Sequence, residues 1–332
     1  MDTRYLRDLA VSEIGMGCMG FSHGYGQIPE RAYSIQAIRT AFEYGCTFFD
    51  TAESYGNVLY YEGHNEEIVG EAVKDFRKDI VLATKLHLHN DEVLRGRTLY
   101  EAVKSHLIRS MERLDVDMVD LYYLHRTRPD VPVEEVADVM GRLIADGMIR
   151  GWGLSQVSGE TLRRADSVTP VSAVQNLYNM LERDCETDIF PYCLEKGIGV
   201  VPFSPVASGF LSGRLTSAAQ FEKVDDVRTW VPQLSQENMD GNRPIVDILK
   251  RYAALKDATA AQIALAWMLR KYPNAVPIPG SKNQGRIMEN LMASEIKLSD
   301  AEFEALETAL DSCKIYGHRG HVEAEGMIHK HN

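Results

Sequence analysis

Basic residues are in the minority: 36 Lys and Arg stand against 48 Asp and Glu, for a formal net charge of −12. A nucleic-acid binder usually displays a basic face, so no nucleic-acid partner is expected. A local basic cluster can still hold an anionic ligand inside an acidic protein. Cysteine is scarce, with Cys18, Cys46, Cys185, Cys193 and Cys313 as the full set and no C-x-x-C spacing. That excludes a disulfide framework and a zinc ribbon, and reduced thiols suit a cytoplasmic protein. No apolar run reaches the length of a membrane helix, so no membrane partner is expected. The charged start of the chain lacks the apolar core of a signal peptide. Low-complexity tracts and short repeats are also absent.

What is present is an alternation. Apolar runs lie at 14–20 (IGMGCMG), 46–50 (CTFFD), 80–85 (IVLATK), 119–125 (VDLYYLH), 149–155 (IRGWGLS), 171–175 (VSAVQ), 199–204 (GVVPFS) and 275–279 (AVPIP). Runs without polar alternation suit strands covered on both faces. Between them, apolar residues recur at spacings of three and four, as in Ile35, Ile38, Ala41 and Phe42 or Val136, Met140, Leu143 and Ile144, with glycine stops at Gly147 and Gly197. Such spacing marks surface helices. Alternating strands and helices mean a parallel sheet. Eight units favour a closed (β/α)8 TIM barrel in one domain over 1–332, although an open doubly wound sheet alternates in the same way. Two segments stand outside the rhythm: an extended, helix-poor loop at 216–242 and a solvated tail at 316–332 that carries His318, His321, His329 and His331.

Some motifs match a pattern without its context. Gly15, Gly17 and Gly20 fit G-x-G-x-x-G, but a loop follows them where a dinucleotide fingerprint opens directly into a helix. Tyr192 and Lys196 fit Y-x-x-x-K, yet no credible dinucleotide-binding start precedes them. His87 and His89 lack a third ligand, and the tail histidines lack carboxylate or cysteine partners, so no metal is expected.

One constellation carries chemistry. Asp50, Lys85 and His125 each close a successive apolar run, and Tyr55 follows Asp50 by one short loop. A barrel puts its active site at such strand ends. An ionisable group there is costly without partners. The four can partner one another: Asp50 keeps Lys85 charged, and the ammonium favours the Tyr55 phenolate, which lowers a pKa ordinarily near ~10. Tyr55 then serves as a general acid, and His125 orients a carbonyl oxygen. The set holds no nucleophile with its base.

The segments FFDTAESYG (Phe48 to Gly56), LATK (Leu82 to Lys85) and DLYYLH (Asp120 to His125) resemble the three catalytic segments of the aldo-keto reductase superfamily. The resemblance runs from GMGCMGF at Gly15 to IPGSKNQGRIMEN at Ile278 to Asn290, nearly the whole chain. It implies the (β/α)8 barrel, a catalytic tetrad of Asp50, Tyr55, Lys85 and His125, and NADP(H) bound extended without a Rossmann domain. It also implies cofactor contacts. Ser155, Gln156 (where many relatives have Asn) and Gln175 fall at the nicotinamide amide, and Phe203 stacks on the ring. Ser204, Val206, Ser208, Gly209 and Leu211 match the loop around the pyrophosphate. Gly280, Ser281, Lys282, Arg286, Glu289 and Asn290 match the adenosine phosphate segment, though many relatives have Lys at the position of Gly280. Lys282 and Arg286 could clamp a 2′-phosphate.

Candidate pocket walls are Phe21, Tyr25, Leu86, His87 and Trp230, from loops after the first, third and seventh runs. A mostly apolar pocket would take a small-molecule aldehyde or ketone. Two alternatives remain. One is a non-catalytic NADP(H)-sensing subunit on the same fold. The other is a metal-assisted barrel enzyme, for which the strand ends offer only Asp50 and His125.

Overall fold

Apolar strands without polar alternation need cover on both faces, and a ring of helices supplies it on the outside of a curled parallel sheet. The computed structural model describes residues 1–88, 96–221 and 224–320. A hairpin of β1 (Thr3–Leu6) and β2 (Leu9–Ser12) comes first. Seven parallel strands follow in sequence order: β3 (Met16–Gly17), β4 (Phe48–Asp50), β5 (Val81–Leu86), β6 (Val119–Leu124), β7 (Ile149–Ser155), β8 (Ala173–Gln175) and β9 (Gly199–Val200). The main helices are α1 (Arg31–Glu43), α2 (His64–Val73), α3 (Leu99–Leu114), α4 (Val133–Ala145), α5 (Gly159–Asp166), α6 (Ile189–Lys196), α7 (Gln236–Lys256), α8 (Ala260–Lys271), α9 (Gln284–Leu291) and α10 (Asp300–Asp311).

The eighth stave departs from the expected strand at 275–279. It touches its neighbours through isolated parallel bridges, Val200 to Ala275 on one side and Gly17 to Gly280 on the other. The Val276 amide donates to the Val200 carbonyl at 2.7 Å, and Gly15 donates to the Pro277 carbonyl at 2.9 Å. Pro277 and Pro279 have no N–H to give, so no continuous ladder forms. The barrel therefore closes at (β/α)8 with a stitched seam. The glycines of the rejected fingerprint serve that seam. A Cβ on Gly17 would lie 3.0 Å from the Ile278 carbonyl oxygen, and one on Gly15 would lie 2.5 Å from the Phe48 ring. The first strand is shorter than expected, because Met19–Phe21 turns into a 3-10 helix.

Strand parity divides the core in two, since side chains alternate faces with a period of two. Phe48, Val81, Ala83, Leu121, Tyr123, Ala173, Val201, Val276 and Ile278 form the barrel interior, and Leu6, Leu9 and Val11 of the hairpin pack against it. Leu6 is packed so close to Gly199 that a Cβ there would meet its Cδ2 at 2.2 Å. The hairpin thus plugs the end where the strands begin. Phe49, Leu82, Leu86, Tyr122, Leu124, Trp152, Leu154 and Val174 have the opposite parity and pack under the helices.

Two segments that lack apolar periodicity hold defined structure among their described residues. The region 216–242 holds 3-10 turns at Ala218–Gln220, Val227–Trp230 and Pro232–Leu234, and α7 begins inside it. Ser235 caps α7 by accepting from the Asn238 amide. Its first residues, QENMDGN, are almost wholly polar, and Pro244 lies within it, so no stripe announces the helix. The start of the tail is fastened rather than solvated: Tyr316 and Asn242 exchange two hydrogen bonds of 2.9 Å. The Arg319 amide donates to Glu182 Oε1 at 2.7 Å. His321, His329 and His331 lie outside the described residues, as does His89. Among the described residues, no helix is long and apolar enough to cross a membrane.

Gly70 shows how tightly the helical ring is drawn. A Cβ there would lie 2.5 Å from the Leu114 carbonyl oxygen, a backbone atom. Alanine gains about 1 kcal/mol in helix propensity, but a collision with backbone forces α2 and α3 apart. Gly70→Ala is expected to lose about 1–3 kcal/mol net in denaturant unfolding. An unchanged midpoint would show that the two helices separate freely.

Candidate active site

Parity also builds the site. On β5, Val81 and Ala83 face the interior, so Lys85 does too. On β6, Leu121 and Tyr123 do, so His125 follows at the strand exit. By the same count Asp50 on β4, Ser155 on β7 and Gln175 on β8 reach the last layer of the interior. Asp50, Ser155, Gln175 and His125 line a cleft of about 840 Å³ that opens at this end.

Lys85 is the hub and is fully buried. Its ammonium donates to Asp50 Oδ1, to the Thr51 carbonyl at 2.8 Å and to the Tyr55 hydroxyl at 3.1 Å. An ammonium has three protons, and all three are placed. Gln175 Nε2 donates to the other Asp50 oxygen at 2.8 Å, so Asp50 acts as an acceptor on both oxygens, as a carboxylate does. Burial would lower the Lys85 pKa, but Asp50 and Tyr55 outweigh it and the net direction is upward. Lys85 is therefore a fixed positive charge beneath Tyr55.

The effect on Tyr55 corrects the expected direction. Burial of the phenol outweighs the opposing pull of Lys85, and its pKa is raised above 10.0. The Tyr55 phenol is thus protonated at rest. His125 sits edge-on to Tyr55, with ring centroids 5.8 Å apart. Burial, then the charges of Arg126 and Lys85, hold its pKa well below the usual value, so the imidazole is neutral. Its Nδ1 faces Ser54 Oγ at 3.4 Å, which leaves Nε2 for the cleft.

The remaining expected residues divide. Phe203, Ser204, Val206, Ser208, Gly209, Gly280, Ser281, Lys282, Arg286, Glu289 and Asn290 all line the cleft. Ser204, Ala207, Ser208 and Gly209 have φ of 50°, 47°, 54° and 96°. Consecutive left-handed residues turn backbone amides towards one point and make an anion-binding nest. Gln156 does not reach the cleft, because its Oε1 accepts from the Leu177 amide at 3.0 Å. Leu211 is fully buried in the core under the helices. Of the proposed pocket walls, Tyr25, His87 and Trp230 line the cleft. Phe21 and Leu86 do not: Leu86 has outward parity on β5, Phe21 lies in the 3-10 turn after β3, and both are buried in the helical core. Lys282 is committed differently from expectation, since its ammonium donates to the carbonyls of Tyr25 at 2.7 Å and Gln27 at 2.6 Å.

Several residues escaped the sequence reading. Arg126, Arg214, Arg228 and Arg319 line the cleft. Arg126 carried a signal, a cation directly after a strand-end histidine; Arg319, in the tail, carried none. Glu53 is nearly fully buried and joins three segments. Its Oε1 accepts from the His87 amide at 2.5 Å and its Oε2 meets His106 Nδ1 of α3 at 2.8 Å. It thus ties the loop that carries Tyr55 to the loop that carries His87.

Replacing Lys85 with Met would leave Asp50 as a buried charge with only Gln175 to satisfy it. Breaking a buried pair from one side costs about 3–5 kcal/mol. The expected loss in urea unfolding at neutral pH has that size, and it shrinks as pH falls. The orphaned carboxylate then has a folded-state pKa above its unfolded one, so protonation favours the folded variant. A variant as stable as the parent at neutral pH would show that Asp50 does not depend on the ammonium.

Comparison with known proteins finds similarity along most of the chain. A sequence model described as the Aldo/keto reductase family matches residues 13–323. The aldo-keto reductase yakc, named as NADP(+)-dependent, of Schizosaccharomyces pombe is 35% identical over 326 residues, covering 96% of this chain and 94% of its own. The glycerol dehydrogenase AKR11B4 from Gluconobacter oxydans superposes with a TM-score of 0.81 at 26% identity, covering 93% of this chain and 95% of its own. An aldo/keto reductase from Klebsiella pneumoniae, solved with NADP and acetate, gives 0.71 at 28% identity, over 95% of this chain and 96% of its own.

Proposed function

The chain belongs to the aldo/keto reductase family, and from that premise we propose that it reduces small aldehydes and ketones to alcohols with NADPH, Tyr55 acting as the proton donor. One observation carries the reading: a fully buried ammonium, charged by Asp50, lies 3.1 Å from a phenol at the floor of the cleft. The rest of the cleft fits a phosphorylated dinucleotide. It combines the nest at 204–209, the cations Arg214 and Arg286, and an approach at Gly280, where a Cβ would come within 3.2 Å of the Gly17 carbonyl oxygen. The reduced nicotinamide, when bound, supplies the hydride.

The residues then divide the work. A carbonyl oxygen between Tyr55 Oη and His125 Nε2 receives a hydrogen bond from each. As negative charge grows on that oxygen, the Tyr55 proton passes to it. The resulting phenolate sits beside the Lys85 and Arg126 charges, both of which favour it. A phenol even above its usual pKa is a far stronger acid than the alcohol being formed, so the transfer runs downhill. Neutral His125 orients without competing for the proton. Ser155 and Gln175 offer polar groups for the nicotinamide amide, although Gln175 already holds Asp50.

Tyr55→Phe tests the donor. NADPH oxidation across a panel of aldehydes, ketones and dicarbonyls is expected to fall by about 10²–10⁴, the usual worth of general acid catalysis. NADPH binding, read by fluorescence, should persist. Near-parental turnover would remove Tyr55 from the chemistry, and a parent with binding but no turnover would favour a sensing role.

The pH profile follows from the two pKa directions. Tyr55 loses its proton only above 10.0, and His125 gains one only below 6.5. The rate of reduction should stay level between those values and fall outside them. A limb centred between them would assign the donor to another group.

Cofactor choice should divide between two cations. Arg286 is exposed at the start of α9, and a charge-assisted contact to a 2′-phosphate is worth about 1.5–3 kcal/mol. Arg286→Ala is expected to weaken NADPH by that amount and leave NADH unaffected. Lys282→Ala should weaken both cofactors, because it also frees the Tyr25 and Gln27 carbonyls. Equal losses for both cofactors in the Arg286 variant would contradict a phosphate contact.

A further inference from the structure

Arg126 is a cation at the floor of the cleft that the proton-transfer scheme does not fully use. One guanidinium nitrogen donates to the His125 carbonyl at 2.6 Å and to Ser155 Oγ at 3.0 Å. Those bonds fix the plane of the group between the exits of β6 and β7. A guanidinium has five N–H donors, and both of these bonds use the same nitrogen, Nη1. The group lines the cleft.

Its electrostatic setting differs from that of two other arginines of the cleft wall. Arg228 is matched by Asp226, and Arg214 by Glu289. Arg126 forms no ion pair with any carboxylate among the described residues. The cleft is lined by two carboxylates among them, Asp50 and Glu289. Asp50 is committed to Lys85 and Gln175, and Glu289 to Arg214 and Thr259. Asp50 and Lys85 cancel, and His125 is neutral, so one positive charge is left over beside the reacting carbonyl. A partly buried charge without a counterion is costly. Burial lowers the Arg126 pKa, the direction expected of a cation short of partners. The nicotinamide amide is neutral and cannot supply the missing charge.

We propose that this cleft selects carbonyl compounds that carry a carboxylate, and that Arg126 receives that carboxylate through its guanidinium fork. The inference rests on the reduction reading above and adds a substrate class to it. Arginine suits the role better than lysine, because a planar fork matches two carboxylate oxygens. The Arg126 guanidinium bonds the His125 carbonyl, and its charge acts on both His125 and Tyr55, so a carbonyl held by those two and a carboxylate on the guanidinium belong to one short oxo acid or formyl acid. The bound anion would restore neutrality at the floor.

The test compares matched pairs with NADPH: 4-formylbenzoate against 4-formylbenzamide, and 2-oxobutanoate against 2-oxobutanamide. The readout is the acid-to-amide ratio of kcat/KM. In the parent it should exceed one by about 10- to 100-fold for at least one pair, the range of a charge-assisted hydrogen bond. In Arg126→Met it should fall towards one, whatever happens to the amide alone. Arg126→Lys, which keeps the charge but loses the fork, should fall between. A parental ratio at or below one for both pairs overturns the proposal. So does a Met variant, or a Gln variant if Met fails to fold, in which acid and amide fall together. Benzaldehyde separates the two levels: if it is reduced without any acid preference, only the assignment of Arg126 falls. If neither benzaldehyde nor any of the four compounds is reduced, the reduction reading fails and takes this one with it.

Discussion

The Lys85 ammonium is the constraint on which the site depends. It is removed from water, so each of its protons must find an oxygen, and the three that it finds come from Asp50, Thr51 and Tyr55. Its charge must also be answered within the interior, and Asp50 answers it. Those two demands bring β4, β5 and the loop after β4 into a single arrangement. The phenol is aimed by the same bonds that neutralise the amine. A buried ion pair is weak evidence for stability in general. Here its use is to hold a phenol at one place beneath an open cleft.

The reading of the sequence succeeded where a period of two was available. Asp50, Lys85 and His125 end apolar runs, and parity alone puts them in the interior layer. The same rule would have excluded Leu86 from the pocket, but not Phe21, which a 3-10 turn carries into the helical core. Leu86 is next to Lys85 and must face the other way; nearness in sequence was mistaken for nearness in space. Gln156 and Leu211 failed for a related reason. They sit within segments that do line the cleft, but one turns to satisfy a backbone amide and the other turns into the core.

Loops were less legible because nothing periodic marks them. The first turns of α7 are polar and its interior holds a proline. The start of the tail is fastened by a few polar contacts, Tyr316 with Asn242 and the Arg319 amide with Glu182, across large gaps in sequence. Such pairings have no local signature. Lys282 was expected to face a phosphate, and its bonds to the Tyr25 and Gln27 carbonyls depend on a loop more than 250 residues away. The direction of the Tyr55 shift was also missed, because residue types reveal the neighbouring charge but not the depth of burial.

The stitched seam has a consequence for the barrel as a mechanical object. Six of its joints are ladders, and a seventh and eighth are single bridges beside two prolines. The seam leads directly into Gly280, Ser281 and Lys282, so the weakest joint of the wall is also one lip of the cleft. A ligand lying across that lip acts as a hoop around a cask. It binds the closed wall and not the opened chain, so occupancy and resistance to unzipping become one equilibrium. Tightness of grip and durability of the vessel would then rise and fall together, without any change in the staves themselves.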